Sequence, residues 1–379
     1  MYSTLEVDIR PGLGLGIFEI GSSLWTVIDR LRRLQHAFPQ VDIKYDPDTS
    51  AITPIILHVR PHLDLLFSGR YQRLHTICLR KLRDPSPPVI LKYKDTILSS
   101  TDEVLRRVGV SRTFGPTYPG DDLRYPGLWF SFDEDGISEG LKRPHNEDRT
   151  QEVKRVLISQ KENDGRAQDA LDEVEECSNM AGDIARAVVK VHDGVTLYLY
   201  PTATSQPLHI KIGETTAQDL TVELGPPLRV HYKEDERMKI HSTSDVAGAD
   251  RETGYFYNYF QHGLDFLISG PKHVVKKIIL HSNIPGSPLF QRYKRCNWEI
   301  EGKPEDDEDD TPPRKRFYDR FETISHFLSP REPPPSMLLD RTDEEEDLKL
   351  PNPATRLHGY DGIILEVTES SQVVSVTLF

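Results

Sequence analysis

The sequence predicts an α+β fold: about four duplicated helix-plus-antiparallel-hairpin units forming two lobes, with long acidic and proline-rich insertions expected to be disordered. Three observations carry that expectation. Apolar alternation of period two recurs in "HLDLLF", "GLWFSF", "GLDFLI" and "GIILEV", the signature of a half-buried strand. Each has a later partner of the same kind, "LHTICL", "VKRVLIS", "VKKIILHS" and "VVSVTLF". Upstream of each pair lies a segment with helical spacing and capping residues.

The first helix is expected over Gly21–Leu34, with Ser22 or Ser23 as N-cap and Leu24, Val27, Ile28, Leu31 and Leu34 on one face. The second is expected over Ser99–Gly109, capped by Thr101 and stopped by Gly109. The third, over Gly213–Pro227, starts at Thr215 or Thr216 and ends at Gly225 before two prolines. The fourth, Tyr318–Pro330, groups Phe321, Ile324 and Leu328. "SGRY" and "SGPK" have the turn chemistry that joins antiparallel strands. "AVVKVHDGVTLYLYP" reads as a strand pair, and the apolar ending at Val373–Phe379 belongs in a sheet.

The expected organisation follows. Residues 1–160 form a first lobe of two units, with a polar insertion beginning near 137. A charged linker spans 161–186, and a second lobe covers 187–300. An acidic, proline-rich insertion at 301–352 contains a helix near 318–328, and a hairpin at 353–379 completes the second lobe. The formal charge of −13 is concentrated in two runs, Glu305–Asp310 and Asp343–Asp347; without them 49 acids face 47 bases. The remainder is near neutral, which argues against nucleic-acid binding.

Three scattered cysteines, Cys78, Cys177 and Cys296, form no disulfide framework or zinc pattern and suit a reducing compartment. No signal peptide or membrane-spanning run is evident. "PGLGLG" lacks the Lys-Ser/Thr of a phosphate loop and leads into a strand, so it reads as an entry turn. No catalytic motif occurs, the histidines follow no metal-binding spacing, and no cofactor is expected. An unrecognised hydrolase is therefore the least supported function class.

Two stretches are denser than a scaffold requires. "VHYKEDERMKIHS" crowds bases and acids together, and "YFYNYF" sets five aromatics in six residues. Tyrosine and arginine enrich interface centres, which makes Tyr232, Lys233, Arg237, Lys239, Tyr255, Tyr257 and Tyr259 the candidate partner surface. Lys276 and Lys277 are candidate lipid contacts, since clustered bases favour anionic surfaces.

"YKEDERMKIHS", "YFYNYFQHGLDFLI", "HVVKKIILHSNIPG" and "YKRCNWEI" resemble the phagophore assembly factor 1 family. So do "GIFEIGSSLWTVIDRLR", "HLDLLFSGRYQRLHTI", "FGPTYPG", "GLWFSF" and the ending "GIILEVTESSQVVSVTLF", in the same order. The resemblance implies a non-enzymatic autophagy adaptor. It implies a WD-repeat β-propeller partner, with membrane association peripheral and through that partner. It also implies a cytoplasmic protein recruited to the phagophore assembly site. The alternative is a trafficking protein that binds phosphoinositide or lipid directly, or one with a Golgi-linked role.

Overall fold

A computed structural model describes residues 4–85, 88–118, 120–132, 150–161, 173–232, 254–302, 312–329, 333–340 and 354–379. Among them, 25 strands in four sheets stand against four α-helices of eight to ten residues. The architecture is mainly β, which corrects the α+β expectation. The chain divides into two compact units, Met1–Met180 and Ala181–Phe379.

In the first unit, β1 (Leu5–Arg10), β2 (Gly14–Leu15) and β3 (Phe18–Glu19) lead into α1 (Leu24–Arg33). Then come β4 (Val41–Lys44), β5 (Ile55–Val59), β6 (Leu63–Phe67), β7 (Leu74–Arg80), β8 (Val89–Tyr93) and β9 (Thr96–Ser99). Helix α2 (Arg107–Phe114) precedes β10 (Leu123–Tyr125), β11 (Leu128–Ser131) and β12 (Arg155–Ser159). They form a five-stranded sheet, β3-β2-β1-β8-β9, and a seven-stranded sheet, β10-β11-β12-β7-β6-β5-β4. Strands β1 and β8 are parallel, so everything between them is crossover, as parallel pairing demands.

The second unit contains β13 (Ile184–Lys190), β14 (Gly194–Leu199), β15 (Leu208–Lys211), α3 (Ala217–Leu224), β16 (Arg229–Tyr232) and β17 (Tyr255–Tyr259). These are followed by β18 (Leu264–Ile268), β19 (Val275–His281), β20 (Trp298–Glu301), β21 (Arg314–Arg316) and α4 (Phe321–Leu328). Strands β22 (Ser336–Asp340), β23 (Ala354–Tyr360), β24 (Ile363–Val367) and β25 (Val373–Leu378) complete it. The sheets are β15-β14-β13-β20-β21 and β16-β17-β18-β19-β25-β24-β23-β22. The connectivity is that of the first unit with one added edge strand, β22, and β13 and β20 are again parallel. Residues 314–340, within the expected insertion, supply β21, α4 and β22.

The four recurring hairpins exist as β6/β7, β11/β12, β18/β19 and β24/β25. They are not separate helix-plus-hairpin units. Strand β7 pairs with β12, and β19 with β25, so two hairpins merge into one sheet within each unit. A lone hairpin is marginal in water; merging makes β7, β12, β19 and β25 interior strands, paired on both sides. Period two reports burial of alternate residues but not which strand lies alongside. The small residue before three of these hairpins also has a cause. Gly127, Gly263 and Gly362 adopt φ of 72°, 70° and 70° in the preceding turn, where a Cβ is disfavoured.

Helix α1 forms as expected. The Ser23 hydroxyl accepts from the Thr26 amide at 3.1 Å, and Leu24, Val27, Ile28 and Leu31 are buried. Helix α3 carries a capping box between Thr216 and Asp219, and α4 buries Ile324 completely. The second helix is displaced from its expected position. The Ser100 hydroxyl accepts from the Asp102 and Glu103 amides, closing a local turn that competes with helix. Arg106 bridges to Glu152, and α2 starts at Arg107, contains Gly109 and ends before Gly115 at φ 89°. "PGLGLG" is a turn and strand β2, not a phosphate loop.

The large sheets bury alternate residues: Leu57, Leu65, Ile77, Leu79 and Ile158 in the first unit, Phe266, Ile278, Leu280, Leu365 and Val376 in the second. Burying each such side chain contributes roughly 1.5–3 kcal/mol. In the first unit Phe114 of α2 ties the sheets together, 4.5 Å from the Tyr93 ring and 5.3 Å from that of Phe130. In the second, Trp298 of β20 is wholly buried and donates Nε1–H to Ser282 Oγ at 2.9 Å. Cys296 is buried, as expected of a free cysteine. Strand β25 lies between β19 and β24, so the apolar ending is an interior strand.

Candidate functional site

The tyrosine-rich strand β17 lies second from one edge of the eight-stranded sheet, covered on its outer side by β16 alone among the described residues. Alternation puts Tyr255, Tyr257 and Tyr259 on one face, opposite Ile268, Phe266 and Leu264 of β18. Across the other side, Tyr232 pairs with Tyr255 and Val230 with Tyr257. The rings form a ladder from solvent to core. Tyr232–Tyr255 centroids are 5.7 Å apart, Tyr255–Tyr257 5.4 Å, Tyr257–Tyr259 6.4 Å and Tyr259–Phe266 5.7 Å. Tyr255 and His273 Nδ1 share a hydrogen bond at 2.9 Å. Burial, with the neighbouring tyrosines, raises the Tyr255 pKa.

The ladder's two ends differ. Tyr259 is fully buried and donates to the Gly225 carbonyl at the end of α3, at 2.9 Å; burial pushes its pKa up to about 12. It belongs to the core and leaves the candidate surface. Tyr232 is 69% exposed, Leu228 and Val230 just before it in the chain are exposed as well, and so is Val222 of α3. An edge strand with apolar side chains and open backbone groups is a template for another chain. The exposed Val222 and Leu228 went unread in the sequence, because scattered apolar residues signal nothing until a fold exposes them. Lys233, Arg237 and Lys239, with most of "YKEDERMKIHS", lie outside the described residues.

Lys277 faces the other way. It pairs with Leu267, which pairs with Phe256, and its Nζ lies 5.6 Å over the Phe379 ring. Lys277 and Tyr232 therefore lie on opposite faces of the sheet, and Lys276 sits at the register shift between Val275 and Lys277.

Behind the tyrosines, on the sheet's other face, lies a buried polar cluster that sequence reading missed. Asp265 accepts from Asn258 Nδ2 at 2.7 Å, from the Tyr293 hydroxyl at 2.7 Å and from His281 Nε2 at 2.9 Å. The Tyr293 ring stacks on His281 at 3.6 Å, covering the imidazole. Burial and the Asp265 charge drive the Tyr293 pKa far up, so its hydroxyl stays a donor. The only sequence signal was the Asp in "GLDFLI", an acid in an otherwise apolar run. Its counterpart Asp64 in "HLDLLF" bonds His58 Nδ1 at 2.6 Å and Arg80 at 3.0 Å. Among the described residues no group of three His, Cys, Asp or Glu is placed to hold a metal ion. No described helix is long and apolar enough to cross a membrane.

His262, in the turn after β17, gives the second unit an acid sensitivity. Burial first, then the Lys294 ammonium, lower its pKa to about 4, and its Nδ1 is buried without a hydrogen-bond partner. The unfolded chain takes up a proton near pH 6.5 and the folded one only near 4, so stability falls as pH drops through that window. Between pH 7 and 5 the loss through this residue is about 2 kcal/mol. Denaturant titrations at both pH values should show His262→Gln losing less than wild type by that amount.

The phagosome assembly factor 1 family model matches residues 14–379 of the chain. A PHAF1 protein of Arabidopsis thaliana is 28% identical over 98% of this chain and 92% of its own length. One from Caenorhabditis elegans is 27% identical over 100% and 94%, and one from Drosophila melanogaster 30% identical over 43% and 40%. No solved structure matches.

Proposed function

The chain belongs to the phagosome assembly factor 1 family, and from that premise we propose that it is a non-enzymatic adaptor in autophagy. It acts at the phagophore assembly site in complex with a WD-repeat β-propeller protein, and reaches membrane through that partner. The partner docks on the edge formed by β16, β17 and α3.

The observation that supports this reading is the exposure of Val230 and Tyr232 on the edge strand β16, with exposed Leu228 just before it, backed by the half-buried rings of Tyr255 and Tyr257. Rigid aromatic side chains anchored from behind are what hot spots require. Tyr232 offers large contact area at small entropic cost, because the ladder already orders its ring.

The test is capture of a WD-repeat propeller by the tagged full chain from its own cells, comparing wild type with Val230→Ser/Tyr232→Ser. Loss of one hot spot costs roughly 2 kcal/mol, about a thirtyfold fall in affinity. Unchanged capture by a variant that melts like wild type would remove this edge from consideration.

A further inference from the structure

Strand β22 forms one margin of the eight-stranded sheet, and β16, the proposed partner edge, forms the other. The first unit has no strand in the position of β22, so the fold does not require it. None of its five residues is buried. Met337 is 61% exposed and Leu338 58%. Being consecutive, they point to opposite faces of the sheet, so a helix laid on one face covers only one of them. A strand added in the plane of the sheet covers both.

Three other sheet margins are guarded by charge. Edge strands β4, β15 and β21 carry Lys44, Lys211 and the run Arg314–Arg316, and charged side chains discourage edge pairing. Strand β22 contains neither a base nor a proline. Its pairing with β23 runs from Ser336–His358 to Asp340–Ala354 without a bulge, so nothing twists the edge away. Its outer margin pairs with no strand among the described residues. What it offers is a regular apolar edge, Met337-Leu338-Leu339, with a serine before and an aspartate after.

We infer that β22 pairs antiparallel with β22 of a second copy of this chain, joining two eight-stranded sheets about a two-fold axis. Such a contact is self-complementary, because each strand offers the other the same margin. With the axis perpendicular to the sheet, residues opposite each other must share a face, so the allowed registers differ by two residues. Centred on Leu338, the pairing uses the whole strand: Leu338 meets its own counterpart, Met337 meets Leu339, and Ser336 meets Asp340. Both faces then gain an apolar pair, and the strand's one acid meets a hydroxyl that can donate to it. Shifting one way sets Leu338 against Asp340. Shifting the other way sets Leu339 against Pro335, which has no amide hydrogen to give. Arg356 stands beside Leu338 on β23, three strand spacings or about 14 Å from its counterpart, so these like charges stay apart.

A five-residue pairing covers less than the roughly 1,200 Å² of a stable interface. The association is therefore weak, with a dissociation constant on the order of 10 μM. The β16 margin stays free on each copy, so the dimer presents two partner surfaces, a consequence that rests on the function proposed above.

The full chain is examined by sedimentation equilibrium over about 1–200 μM, as wild type, Leu338→Lys, Leu338→Glu and an equimolar mixture of the two variants. Leu338 is exposed, so both variants should melt like wild type. Wild type is expected to dimerise. Each variant alone sets like charges opposite each other and should lose at least about tenfold in affinity. The mixture sets opposite charges there and should recover the dimer. A wild type that stays monomeric throughout overturns the proposal and leaves this edge to a strand of another protein. Dimerisation unchanged in both variants, or a mixture no more associated than its components, overturns it too. Val230→Ser/Tyr232→Ser should dimerise like wild type, and loss of its dimer would move the contact to β16 and overturn the pairing of β22. Propeller capture is read separately on that variant, so the two proposals fail independently.

Discussion

Asp265→Ala is expected to destabilise the second unit by about 4 kcal/mol, since it strands buried donors at roughly 1–3 kcal/mol each. The carboxylate is buried and accepts hydrogen bonds from three side chains, of which His281 and Tyr293 are themselves buried. Water cannot replace it, because Tyr293 lies flat on His281. Asp265→Asn keeps one acceptor and should lose about half as much. A double-mutant cycle with Tyr293→Phe separates the hydroxyl's share, with coupling on the order of 1–3 kcal/mol. Urea denaturation of the full chain gives all these values. A loss below about 1 kcal/mol for Asp265→Ala would mean that the cluster orients the loop without stabilising the unit.

Gly263→Ala is expected to cost about 3–5 kcal/mol, from two separate causes. At φ 70° an alanine carries left-handed strain, and its Cβ would lie 2.1 Å from the Lys294 carbonyl oxygen and 3.0 Å from the Cys296 amide nitrogen. Those are backbone atoms, so no side chain can swing aside. The loop they belong to delivers Tyr293 to His281, and the Lys294 amide donates to Phe260 at 2.8 Å. Displacing it opens the Asp265 cluster as well. Gly213→Ala is the control: its φ is 83°, but nothing lies within 4 Å of the added Cβ, so only the strain of roughly 1–2 kcal/mol applies. Similar losses for the two variants in a denaturant titration would show that the 282–297 loop yields freely.

Much of the local structure was legible. Alternation in "GLDFLISGPKHVVKKIILHS" marks β18 and β19, the Ser23 and Thr216 caps set the starts of α1 and α3, and the apolar ending reads as a strand. The second helix was not, because Ser100 and Glu103 favour a turn as readily as a first helical turn, and only the bridge from Arg106 to Glu152 decides between them. At the candidate site, aromatic density pointed to β17. Alternation alone could not say that Tyr259 spends its hydroxyl on Gly225 while Tyr232 stays outside.

The sequence by itself determined the four recurring hairpins and three of the four helices, where several caps and turns fall, and that this chain resembles a phagophore assembly factor. Those properties depend on neighbours a few residues away, where propensity, capping and period act. Tertiary structure alone decided that hairpins merge across β7–β12 and β19–β25, making the protein mainly β. It also decided that Asp64 bonds His58 and Arg80 while Asp265 is sealed under Tyr293. Partners from distant stretches are set by which faces must be buried together, and alternation leaves that choice open until the sheets assemble.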